Sequence, residues 1–157
     1  MKVVLLVVGK SEETLWNKAL DDYQGRLKHY LPFEMEALPD IKHTGKMPKF
    51  QQKELEGQNI CKYIQSGDYC ILLDERGKEF TSVQFAAYME KKMHVASKRL
   101  VFVIGGAYGF SDAVYAIAAE RIALSKMTFS SRMVRPIFVE QLYRAMTILR
   151  GEAYHHE

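Results

Sequence analysis

The sequence predicts an α/β fold in which a mostly parallel sheet of five or six strands carries helices on both faces. Three observations predict it. Apolar runs at 3–8, 70–73 and 100–104 are short and continuous and end in glycine or charge, as strands buried on both faces do. Strand-like and helix-like segments alternate five times with no hairpin signal between them, so the strands must be joined by crossovers. Residues 100–129 run strand, glycine turn, helix and strand without wasted residues. At 157 residues the chain is read as a single domain, 1–157, burying about two thirds of its unfolded surface.

The first strand spans 3–8 and is broken by Gly9. Ser11, followed by Glu12 and Glu13, is the expected N-cap of a helix whose apolar face is Leu15, Trp16, Ala19, Leu20, Tyr23 and Leu27. After Pro32, the alternation of Phe33, Met35 and Ala37 with Glu34 and Glu36 predicts an edge strand with one wet face. Residues 39–52 form the longest irregular stretch, and a weaker helix over 53–65 is interrupted by Gly57 and stopped by Gly67. The third strand, 70–73, ends in the charged run 74–78. Asp74 and Glu75 suggest a carboxylate pair, but neighbours on a strand point to opposite faces, so a turn of solvated charges is the expectation. Thr81 and Gln84 form a capping box for a helix with Phe85, Ala86, Met89, Met93 and Ala96 on its apolar stripe. The strand at 100–104 follows, then Ser111 as N-cap of a helix over 113–120 and a strand over 122–124. Pro136 suits the first turn of a last helix, with Phe138, Val139, Leu142, Tyr143, Met146 and Leu149 as its apolar face and Gly151 as its stop.

Composition narrows the function classes. Cys61 and Cys70 lack metal-site or redox spacing and read as small buried hydrophobes, which implies a reduced, cytoplasmic setting. The apolar start is one strand long and unlike a signal peptide, and no run approaches membrane-spanning length. The net charge of +3 is modest, but Lys42, Lys46, Lys49 and Lys53 follow one another with no intervening acid. Such a run suits either a phosphate-contacting loop or an ordinary solvated face.

In open α/β sheets, ligands bind beyond the carboxyl ends of the strands. Residues 105–109 and 125–129 should therefore share a crevice made largely of main chain, unless both are plain turns. The glycine pair at Gly105 and Gly106 is expected to supply positive φ and close ligand approach there. GGAYG lacks the dinucleotide fingerprint, and Gly9-Lys10-Ser11 lacks the earlier glycine of a phosphate-binding loop because Val4 stands in its place. Tyr154 and His155 read from spacing alone as a frayed terminus.

VVGK, LLDERGK, VIGGAYG, LSKMTFSS, VEQLYRA and RGEAYHHE, in that order and across the whole chain, resemble the ribosomal large-subunit methyltransferase H family of the SPOUT class. The resemblance implies a carboxyl-terminal trefoil knot and a homodimer. It also implies methyl transfer from S-adenosylmethionine to N3 of a pseudouridine in 23S rRNA of the assembled 70S ribosome, with no metal and no membrane. The alternative is a non-catalytic RNA-binding module of the same fold. Position by position, the resemblance puts the cofactor on Leu73, Gly105, Leu124, Ser125, Lys126, Met127, Thr128 and Phe129, and the substrate side on Arg144, Tyr154 and His155. Histidine ordinarily titrates near neutral pH, which makes His155 the expected base. Arg144 is then expected to stabilise developing charge and Tyr154 to stack on the flipped base. Lys42, Lys46, Lys49, Lys53, Arg132 and Arg135 are expected to grip RNA.

Overall fold

The computed structural model describes residues 1–95 and 98–156; Ala96 and Glu157, placed above on a helix stripe and in the tail, lie outside the described residues. The element order is β1 (Lys2–Val8), α1 (Thr14–Leu27), β2 (Phe33–Leu38), α2 (Lys49–Tyr63), β3 (Asp68–Glu79), α3 (Ser82–Val95), β4 (Arg99–Ile104), α4 (Asp112–Ile117), β5 (Glu120–Ala123) and α5 (Val134–Leu149). The five strands form one sheet in the order β2-β1-β4-β3-β5, and each neighbouring pair is parallel. β2 lies at an edge, as its alternation predicts.

The two-residue period of a strand sorts the core into two layers. Val3, Leu5 and Val7 of β1 and Leu100, Phe102 and Ile104 of β4 face α1, α3 and α5. Val4, Leu6, Val101 and Val103 face the side covered by Ile60 of α2 and Val114 of α4. Phe138 of α5 is the anchor of the first layer. It is fully buried, with its ring 4.9 Å from Phe102 and 6.2 Å from Phe85.

Several boundaries differ from the sequence-based expectation. The N-cap of α1 is Glu13 rather than Ser11, whose carbonyl instead accepts the Asn17 side-chain amide at 2.8 Å. Leu15 is exposed and Trp16 is only half-buried, so the buried anchors of that helix are Leu20 and Leu27. α2 begins at Lys49 and runs through Gly57, where a Cβ would strike Ser111 and Val114; the glycine is a contact point between α2 and α4, not a break. β3 continues to Glu79, so the charged run is strand and not turn: Lys78 and Glu79 pair with Ile122 and Ala123 after a register break. The capping box at the start of α3 forms as expected, with the Thr81 amide donating to Gln84 Oε1 at 2.9 Å and the Gln84 amide to Thr81 Oγ1 at 3.1 Å.

Candidate active site

Parallel strands that share a direction bring their carboxyl ends to one edge, and Leu73 and Ile104 are register partners there. Beyond them, residues 105–110, 124–125, 127–131 and the start of α5 line a crevice of about 690 Å³, within the range of small-molecule sites. Leu73, Gly105, Leu124, Ser125, Met127, Thr128 and Phe129 all line it. Lys126 does not; it is largely exposed and faces Glu79 at 3.8 Å.

The glycines work differently from the expectation. Neither Gly105 nor Gly106 has positive φ; that conformation falls on Gly109, at +81°. A Cβ on Gly105 would press on the Phe110 ring at 3.0 Å, and one on Gly106 would meet Glu56 Oε1 at 2.6 Å. The space beside both is filled from within the protein, so each offers the crevice main chain alone. The hydroxyl of Ser111 accepts the Val114 amide and starts α4 directly behind this loop.

Asp74, Arg76 and Tyr115 form the polar wall. The Tyr115 hydroxyl donates to the Asp74 carboxylate and accepts from the Arg76 guanidinium, and the Arg76 amide donates to Asp74 at 2.9 Å. Burial pushes the Asp74 carboxyl up, but the Tyr115 hydroxyl, the Arg76 amide and the Arg76 charge together hold it below its ordinary value. This corrects the reading of Asp74 as a solvated turn charge: its side chain is only 7% exposed. The missed signal is position, since Asp74 follows directly on Leu73 where a buried strand meets the crevice.

Arg144, Tyr154 and His155 lie together elsewhere. The Arg144 guanidinium donates to Glu140 Oε1 at 2.8 Å and to His155 Nδ1 at 3.1 Å, and its carbon sits 4.7 Å from the Tyr154 ring centre. Tyr154 packs edge-on against Tyr143 and donates to the Tyr23 hydroxyl at 3.4 Å, while Tyr30 donates to Glu152 at 2.6 Å. Burial, followed by the bond to Tyr23, pushes the Tyr154 hydroxyl up, so it stays protonated. The tail is thus docked on α1 and α5 rather than frayed. None of the three side chains lines this chain's own crevice.

The basic residues divide. Lys42, Lys46 and Lys49 are exposed, and Lys53 is half-buried on α2. Arg132 donates to the Lys10 carbonyl at 2.6 Å and lies 4.0 Å from Asp40. Arg135 does not reach the surface: it is 2% exposed and donates to the Val8 carbonyl at 2.8 Å, and burial pulls its guanidinium down to about 10. It ties the head of α5 to the end of β1, which removes it from any RNA-gripping set. Among the described residues no cluster of His, Cys, Asp and Glu could hold a metal ion, and no helix is long and apolar enough to cross a membrane.

A family model described as "Predicted SPOUT methyltransferase" matches residues 1–155. Among curated proteins, the chain is 60% identical over 157 residues to a Ribosomal RNA large subunit methyltransferase H of Parabacteroides distasonis, covering 100% of both. Proteins of the same name from Bacteroides thetaiotaomicron and Porphyromonas gingivalis are 55% and 52% identical, again over 100% of both chains. With a parallel sheet whose carboxyl edge opens on a glycine-lined crevice, and full-length identity at this level, the chain belongs to the SPOUT methyltransferase family and, within it, to the ribosomal RNA large subunit methyltransferase H group.

Proposed function

We propose that this protein methylates N3 of a pseudouridine in 23S rRNA on the assembled 70S ribosome, using S-adenosylmethionine and acting as a homodimer. The observation that carries this reading is the crevice beside Leu73 and Asp74 of β3 and at the ends of β4 and β5, lined by seven of the eight residues that the family resemblance nominates. Its composition suits the cofactor. Leu73, Ile104, Leu124 and Phe129 offer apolar walls for a flat base, the residues at 105 and 106 offer unscreened main chain, and Asp74 is a buried, ionised carboxylate for a polar or cationic part. When bound, S-adenosylmethionine would supply an already activated methyl group. The protein's own task is then alignment and removal of one proton from the ring nitrogen.

The tail cluster is the proposed source of that second function. A guanidinium can only donate, so His155 Nδ1 accepts from Arg144 and its lone pair is engaged. For His155 to take the N3 proton at that atom, Arg144 must turn from it toward the flanking carbonyls of the substrate, where its charge stabilises the anion that forms. In this reading one movement frees the base and positions the counter-charge. Because Arg144, Tyr154 and His155 lie outside their own crevice, they would complete the crevice of a second copy. A knot also belongs to this proposal, since the chain leaves β5 at one sheet edge and recrosses the ends of β3 and β4 before α5 begins beside β1.

The test is transfer of labelled methyl from S-adenosylmethionine to 70S ribosomes, free 50S subunits and naked ribosomal RNA in parallel. Label in the 23S rRNA of 70S particles alone is the expected result. Cofactor binding with no labelled RNA would leave a methyltransferase with a different substrate. Cofactor binding and RNA binding without transfer to any acceptor would favour the non-catalytic module.

A further inference from the structure

We propose that Phe50 and Tyr108, set among Lys49 and Lys53, form a stacking platform that holds unpaired nucleotides of an RNA strand beside the crevice. The proposal rests on the RNA reading above and names a part of the surface that reading leaves unassigned.

Phe50, in the first turn of α2, is 67% exposed, and Tyr108, in the loop after β4, is 40% exposed. The Phe50 ring leaves most of its surface in solvent, the Tyr108 ring a large part of its own, and each carries a cation. Lys53 Nζ lies 5.6 Å from the Phe50 ring centre, and Lys49 Nζ lies 5.6 Å from that of Tyr108. Lys49 and Lys53 are four residues apart and share a helix face, so α2 spaces the two ammonium groups along one line. That face ends in Glu56, whose carboxylate lies against Gly106 of the crevice loop. Tyr108 itself lines the crevice. The patch is therefore continuous with the candidate site.

Alternating rings and ammonium groups with no acid between Lys42 and Lys53 match the chemistry of a single strand. Bases lie on the rings, whose faces accept any base, while the lysines neutralise the phosphates between them. A duplex keeps its bases stacked inside and cannot use the rings, so the platform selects unpaired RNA by structure rather than by sequence. A nucleotide extracted for chemistry needs its neighbours held apart from their own stack, and a platform at the crevice rim does this.

The test uses a labelled mixed-sequence oligoribonucleotide, alone and annealed to its complement, titrated into the full chain by anisotropy. Phe50→Leu removes the ring and keeps the charge; with unchanged thermal unfolding, it should weaken single-strand binding about tenfold. Phe50→Trp keeps a ring and should bind normally, with its added fluorescence quenched by the single strand and not by the duplex. Lys49→Gln should reduce the slope of log affinity against log salt by about one. If Phe50→Leu binds like the parent, the platform is wrong while a basic RNA-facing surface stands. Equal quenching by duplex overturns stacking. If the parent chain binds neither RNA form, the platform falls, and ribosomal RNA as substrate is judged by the methyl-transfer assay alone.

Discussion

Glu56 is the residue whose type and place agree least. It is 6% exposed, its Oε2 receives the Gln52 amide at 3.3 Å, and its Oε1 has no hydrogen-bond partner among the described residues. Burial raises its carboxyl, the Gln52 bond lowers it, and the nearby Asp40 charge raises it again, with a net upward shift. A carboxyl whose folded value lies above its unfolded one holds its proton longer when folded. Stability is therefore greatest below the unfolded value and is lost as pH rises toward the folded one. Glu56→Gln removes that loss. It should be more stable than the parent at neutral pH by about 1 kcal/mol, with the advantage fading under acid, as read from denaturant midpoints across pH. A variant less stable than the parent at neutral pH would mean that the carboxylate is held by contacts of its own. The sequence hides this residue because Glu56 lies amid lysines, glutamates and glutamines, a pattern that reads as a solvated face. Only the approach of the loop after β4 buries it.

At the scale of elements, β3 shows how a strand can be disguised. Asp74, Glu75, Arg76, Gly77 and Lys78 have the composition of a turn, yet the chain runs extended to Glu79 because β5 offers a second set of partners. Gly77 makes this possible: a Cβ there would lie 2.6 Å from the Ile122 nitrogen and 2.7 Å from the Arg121 carbonyl carbon, both backbone atoms that cannot rotate away. Gly77→Ala should push β3 from β5, cost about 2 kcal/mol in equilibrium unfolding, and weaken cofactor binding by disturbing Asp74 and Leu73. Unchanged unfolding would show that the strand pair can yield without cost. β1 and β4 were legible because each carries an uninterrupted apolar run, and β2 because its apolar residues alternate with Glu34 and Glu36. α5 was legible from its apolar positions, although its start at Val134 and the burial of Arg135 were not. An arginine in a helix reads as exposed, and only the end of β1, with a carbonyl to satisfy, draws it inside.

For the whole molecule, the two parts of the proposed chemistry lie at different ends of α5. The helix starts at the crevice with Val134 and reaches Arg144 ten residues later, about 15 Å along its axis. A single chain thus separates the proposed cofactor crevice from Arg144, Tyr154 and His155, and a homodimer is the proposed remedy. Mixing supplies the measurement. A Thr128→Trp subunit, whose crevice is blocked from an exposed lining position, and a subunit lacking residues 154–157 should each be inactive alone. Co-refolded in equal amounts, half of the dimers would be mixed, each with one intact composite site, restoring about a quarter of parental methyl transfer. Mixtures that stay inactive would place the tail's action within its own chain or remove it from catalysis.

The sequence by itself determined the α/β class, the alternation of elements, the edge position of β2 and the carboxyl edge where the crevice opens. These follow from local apolar periodicity and from the direction shared by parallel strands. Its motifs also determined the family. The tertiary structure decided what periodicity cannot carry: that Asp74 is a buried wall of the crevice, that Gly105 and Gly106 are small because Phe110 and Glu56 lie behind them, and that Arg135 is structural. It also decided that Tyr154 and His155 are docked on α1 and α5. Each depends on which distant segment fills the space beside a residue, and that is set by packing across the sheet rather than by neighbours along the chain.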